Sequence, residues 1–94
     1  MAAYVIAEIK ITNPEGYEAY RTQVPATLEQ YGGTYIVRGG AIEAIEGETA
    51  DRMVILQFVD IPAANRWYHS PEYQSIVGLR QANSTGRLTL VEGI

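Results

Sequence analysis

The stretch RMVILQFVD, residues 52–60, constrains the fold more than any other part of this 94-residue chain. Successive residues of a strand point to opposite faces. Here both faces are apolar, with Val54, Leu56 and Phe58 on one and Met53, Ile55 and Val59 on the other. A strand of this kind is covered on both sides. Ninety-four residues make one core and leave no room for a second. Helices of the same chain can cover one side of the strand; the other side needs a different cover.

The flanking segments supply the first cover. Residues 3–11 alternate, with Val5, Ala7, Ile9 and Ile11 on one face and Tyr4, Ile6, Glu8 and Lys10 on the other, which predicts a strand. Asn13 followed by Pro14 predicts a helix start, a capping side chain before a proline at the first helical position. Tyr17, Tyr20, Val24, Leu28 and Tyr31 then recur at helical spacing. Pro25 lies inside that stripe and is expected to kink or split the helix, and Gly32-Gly33 ends it. TYIVRGG (34–40) predicts a short strand, and AIEAIEG (41–47) a second extended piece leading into a turn at 48–51. A short helix is expected over 62–69. Another starts at Ser70-Pro71-Glu72, with Tyr73, Ile76, Val77 and Leu79 as its apolar positions. The last strand is expected over 86–92, with Leu88 and Leu90 on one face.

The order β-α-β-β-α-β predicts one α+β ferredoxin-like domain over residues 1–94, a four-stranded antiparallel sheet with its helices on one face. The bare face carries Tyr4, Ile6 and one of the two apolar sets of residues 52–60. Leaving large apolar side chains wet forgoes about 1.5–3 kcal/mol each, and such a patch exceeds what soluble monomers normally expose. A second copy packed sheet to sheet about a two-fold axis is the expected cover.

Composition narrows the function. The net charge is −4 and the seven basic residues are scattered, which argues against nucleic acid as a partner. MAAYVIAEIKI has no basic leader region, and Glu8 and Lys10 interrupt its apolar run, so it reads as a strand and not a signal peptide. No stretch approaches the roughly 18 apolar residues of a membrane span. The absence of cysteine excludes a disulfide framework and a thiol nucleophile, and suits a cytoplasmic protein. With a single histidine as well, no zinc or haem-thiolate ligand set remains. Glu43, Glu46, Glu48 and Asp51 do not follow the spacing of a calcium loop and read as a solvated hairpin. The glycine pairs 32–33 and 39–40 match no nucleotide-binding loop. No metal and no cofactor are expected.

The candidate chemistry lies between residues 66 and 80. RWYHSPEYQ (66–74) gathers Trp67, Tyr68, His69 and Tyr73 at a helix boundary. Counted from Tyr73, Ile76, Val77 and Arg80 fall at i+3, i+4 and i+7, so the arginine stem lies within the apolar stripe. A buried cation needs a carboxylate, carbonyls or an anionic ligand. Two readings follow: a structural arginine, ion-paired with Glu46 or Glu92 or with a stem that snorkels to solvent, or an arginine that faces a ligand. Trp67, Tyr68 and Tyr73 are either core filler or a stacking wall with phenol donors. His69, two residues beyond Trp67, points about 200° away and is expected at the rim or in solvent. Ser70 is best placed to cap the following helix. Arg38 and Glu46 complete the candidate ligand-binding set of Trp67, Tyr68, Tyr73 and Arg80.

YGGTYIVRGG (31–40), IEG (45–47), MVILQF (53–58), WYHSPEYQ (67–74), Arg80 and the terminal LVEG (90–93) together resemble a family of small bacterial domains of unknown function within the dimeric α/β-barrel superfamily. The resemblance spans nearly the whole chain. It implies a homodimer whose sheets face each other, with a cleft in each subunit between sheet and helices. Superfamily relatives include cofactor-free monooxygenases, lactone isomerases, polyketide cyclases and haem-degrading enzymes, so fold transfers and function does not. His69 falls at an open position of the motif. The resulting expectation is a homodimer that binds a small organic anion, or acts on one without a cofactor by proton transfer or enolate stabilisation. The alternative is a non-catalytic structural or interaction dimer.

Overall fold

The computed structural model describes residues 1–94. Eight elements follow in order: β1 (Ala3–Ile11), α1 (Pro14–Arg21), α2 (Val24–Tyr31), β2 (Thr34–Arg38), β3 (Arg52–Phe58), α3 (Ile61–Tyr68), α4 (Pro71–Asn83) and β4 (Ser84–Glu92). The strands form one antiparallel sheet in the order β2-β3-β1-β4. This is the expected α+β ferredoxin-like arrangement, with each of the two helical crossovers broken into two helices.

The register places the apolar sets as their alternation requires. Val5 pairs with Leu56 and Leu90, and Ala7 with Val54 and Leu88. These residues face the helices, and Val5, Ala7, Ile9, Leu56 and Phe58 are buried there with Tyr17, Tyr20, Leu28, Trp67, Tyr73 and Ile76. On the opposite face Tyr4 pairs with Val91, and Ile6 with Ile55. No helix covers that side, and Tyr4, Ile6, Met53 and Ile55 are only half-buried. Glu8 and Arg87 form an ion pair at one end of it.

Five details differ from expectation. The first crossover breaks at Thr22–Gln23, ahead of Pro25, which sits in the first turn of α2 where its missing N–H costs no helical bond. Asn13 is extended but makes no side-chain cap; Asp60 and Ser70 cap α3 and α4 by accepting from the Ala63 and Tyr73 amides. Residues 41–47 form no strand. The chain leaves the sheet at Gly39, which takes a left-handed φ of 67°, and residues 41–47 pair with no strand. Val59 lies beyond the end of β3 and is exposed, so it does not extend the Met53–Ile55 face. The last strand starts two residues early, at Ser84 opposite Ile11.

Candidate functional site

Serine 70 organises the boundary between α3 and α4. Its hydroxyl donates to the Trp67 carbonyl at 2.7 Å and accepts from the Tyr73 amide at 3.1 Å. The two helices therefore meet at a fixed angle, which aims Trp67 and Tyr73 inward together. Their rings lie 4.2 Å apart, and both are essentially fully buried. The Trp67 indole N–H donates to Thr27 Oγ1 at 3.0 Å, while the Thr27 hydroxyl donates to the Val24 carbonyl, so the polar tip of the tryptophan is satisfied from α2. Tyr68 is half-buried, with its ring 5.5 Å from that of Tyr73. His69 is exposed at the C-terminal end of α3, as its angular position predicts.

Arg80 is buried, with 8% of its surface exposed, on the same stripe as Tyr73, Ile76 and Val77. The chain forms two ion pairs, Arg21–Glu18 and Arg87–Glu8, and neither involves Arg80. The expected pair with Glu46 or Glu92 is not formed. Glu46 is exposed in the irregular 41–47 segment, and Glu92 lies exposed at the far end of β4. The Arg80 Nε is buried and has no hydrogen-bond partner.

What surrounds the guanidinium is a group of phenols. The Tyr20 and Tyr73 hydroxyls are hydrogen-bonded to each other at 2.8 Å. Burial pushes both above the ordinary tyrosine range, and proximity to Tyr73 pushes Tyr20 further. For Tyr73 the Tyr20 bond and the Arg80 charge pull the other way without reversing the shift. Burial draws the Arg80 pKa down, and Tyr73, Tyr20 and Tyr68 outweigh it to leave a net rise. That rise depends on phenolate forms, and burial keeps Tyr20 and Tyr73 protonated at neutral pH. Near pH 7 the cation therefore faces neutral dipoles only. Two hydroxyls bonded to each other use one O–H, so the second can donate elsewhere.

Three spaces flank this group, one of them an open recess of ≈ 490 Å³ where Tyr68 and Arg80 meet Gln81, Ser84 and Arg87. An inner cavity of ≈ 30 Å³ lies between the sheet and helices α1, α2 and α4, with Tyr17, Tyr20, Tyr35, Arg52, Trp67 and Arg80 in its wall. It has room for a group of a few heavy atoms at most. Its lining includes no carboxylate and no imidazole. An outer groove of ≈ 250 Å³ runs between α3 and β4, bounded by Val5, Asn65, Tyr68, His69 and Leu90. Trp67 and Leu88 form the wall common to both.

The fold thus brings Trp67, Tyr68, Tyr73 and Arg80 together and leaves two candidates outside. Arg38 is exposed on the edge strand β2, its guanidinium 4.2 Å above the Tyr35 ring, and Glu46 is separate from the group altogether. Tyr20, Tyr35 and Arg52 belong to the cavity and were not among the expected site residues. A signal for Arg52 was present: it shares the parity of Val54, Leu56 and Phe58, which puts a cation on the helix-covered face. No three histidine, aspartate or glutamate side chains come close enough to hold a metal ion.

A four-stranded antiparallel sheet in the order β2-β3-β1-β4 with its helices on one face is the α+β ferredoxin-like class. Within that class the chain belongs to the family described as Domain of unknown function (DUF1330), which it matches over residues 2–94. No curated protein matches it in sequence. Solved structures agree on the fold. A protein of unknown function from Rhodopseudomonas palustris, RPA0582, is 20% identical, with a TM-score of 0.82 over 99% of this chain and 82% of that one. SnoaB from Streptomyces nogalater, a cofactor-independent oxygenase, is 15% identical, with a TM-score of 0.68 over 99% of this chain and 93% of that one. HapK from Hahella chejuensis is 12% identical, with a TM-score of 0.64 over 98% and 92%. No helix is long and apolar enough to cross a membrane.

Proposed function

We propose that the protein is a homodimer whose subunits each bind a small organic anion in the cleft between sheet and helices, with Arg80 as the charge that recognises it. The observation that carries this reading is a cation with 8% exposure and no carboxylate partner. Holding an unpaired guanidinium out of water costs several kcal/mol, and an anionic ligand supplies the missing countercharge. Trp67 and Tyr68 offer an aromatic wall, and the O–H left over in the Tyr20–Tyr73 pair offers a donor. The same donors, arginine and phenol in a dry site, suit an enolate or other oxyanion. A cofactor-free reaction on a bound acid is therefore within the chemistry of the cleft, in line with the activity of SnoaB.

The dimer reading rests on the open sheet face. Tyr4, Ile6, Met53, Ile55 and Val91 lie on it without cover from the chain's own helices. A two-fold partner presenting the same face would remove them from water at about 25 cal/mol per Å².

A thermal-shift screen of small aromatic and aliphatic acids, each beside its uncharged amide, tests the ligand reading. Acids are expected to raise the melting temperature of the wild type and not of Arg80→Leu, and amides to do neither. Equal responses to acid and amide would refute recognition by charge.

A further inference from the structure

Arg80 is one of two arginines with a buried Nε that bonds to nothing. The second is Arg52, at the start of β3. Both side chains line the same inner cavity, one from the sheet and one from α4. Arg52, like Arg80, takes part in neither ion pair of the chain. Glu18 feels its charge, but that carboxylate is bonded by Arg21 through both Nε and Nη2. The third arginine of the lining, Arg21, is thus neutralised from outside the cavity, and Arg52 and Arg80 are not.

The local backbone is shaped around Arg52. Gly39 has a left-handed φ of 67°, and a Cβ there would collide with the Arg52 Nη1. The Gly39 amide donates to the Met53 carbonyl at 2.9 Å, which holds this loop over the arginine. A bare backbone therefore roofs the guanidinium, and no side chain from position 39 shares its space. The remaining wall is phenol and aliphatic: Tyr17, Tyr20, Tyr35, Val54, Leu56 and Leu88.

Two guanidiniums without an ion pair thus line one small space whose wall holds no carboxylate. We propose that Arg52 and Arg80 form a two-armed clamp for a single carboxylate group, the ligand being a small monocarboxylic acid whose charged end enters the inner cavity. This rests on the ligand reading above and extends it by a second arm and by the chemistry of the head group. Arginine's fixed fork of N–H donors matches a carboxylate's two oxygens. A cavity of ≈ 30 Å³ favours this planar head over a tetrahedral phosphate.

The test uses the full chain with benzoate as probe, inorganic phosphate and benzamide as controls, and two readouts. Arginine Nε–H resonances of ¹⁵N-labelled wild type are followed during titration; the Arg52 and Arg80 signals are expected to shift together on one isotherm with benzoate, and not with benzamide. Calorimetric affinity for benzoate is then expected to fall about tenfold or more in Arg52→Met, the loss of a charge-assisted hydrogen bond, and to return in part in Arg52→Lys. Saturable shifts at Arg80 alone, with undiminished affinity in Arg52→Met, overturn the clamp and leave Arg80 as the sole anchor. Failure of benzoate to move either arginine overturns both the clamp and the ligand reading. A phosphate affinity equal to that of benzoate overturns the carboxylate assignment. Should Arg52→Met fail to fold, the wild-type titration decides the question.

Discussion

Replacing Arg80 by leucine separates a ligand-facing arginine from a structural one. In the unliganded protein the Arg80 side chain is buried as a whole and its Nε bonds to nothing, without a carboxylate, which costs up to several kcal/mol after relaxation. The nearby Tyr73 and Tyr20 phenols favour the charged form and offset part of that. Leucine removes both terms. It leaves no carboxylate stranded, and the Tyr20–Tyr73 hydrogen bond persists because each phenol is the other's partner. The shorter side chain leaves some empty volume, a cost of about 1–2 kcal/mol. The balance lies between no change and a gain of about 3 kcal/mol. Urea unfolding, compared at one fixed protein concentration because a dimer's stability depends on it, should give a midpoint equal to or above that of the wild type. A loss of about 3–5 kcal/mol is the signature of a broken buried ion pair. It would mean that a carboxylate meets Arg80 in the assembled protein, and the ligand argument would fail.

Ile55→Glu places a charge beside Ile6 on the open sheet face; sedimentation should move the protein from twice the chain mass to a single chain, and an unchanged dimer would put the interface elsewhere. His69→Ala should leave both the melting temperature and benzoate affinity within experimental scatter, since the residue is exposed at the groove's rim. The alkaline limb is set by the inner phenols. Their folded pKa values lie above the unfolded value of about 10, so their contribution to stability is full below that pH and is lost as pH rises through the folded values. Spectrophotometric titration should accordingly show Tyr20 and Tyr73 ionising only as the protein unfolds, and Tyr20→Phe should remove one late-titrating group.

The two central strands were legible for different reasons, β1 by its period-2 alternation and β3 by a β-rich run apolar on both faces. The isoleucines of 41–47 misled, because Ile42 and Ile45 stand three residues apart and do not alternate, and Gly39 has already turned the chain off the sheet edge. A strand needs a partner as well as a pattern. Arg80 was visible because helical spacing alone places it among Tyr73, Ile76 and Val77. Its partners were not visible. The Tyr20–Tyr73 contact joins residues 53 apart through packing of α1 on α4, which no local spacing encodes. Arg52 was missed for another reason: a charged residue at a strand end ordinarily swings into solvent. Here the roof formed by Gly39 keeps it over the cavity. Conversely, Arg38 and Glu46 sit in the motif-bearing segments but lie on the edge and in the loop, where solvent satisfies them.

The central claim is that the cleft recognises an anion through Arg80. Its most direct test is a crystal structure of the protein grown with 4-bromobenzoate, with anomalous data collected at the bromine edge. The account predicts a carboxylate within hydrogen-bonding distance of Arg80 and a bromine peak between sheet and helices beside the Trp67 wall, both absent from Arg80→Leu crystals grown in the same solution. A bromine peak only on the outer surface, or a cleft in which Arg80 reaches a protein carboxylate from the second subunit, would contradict it.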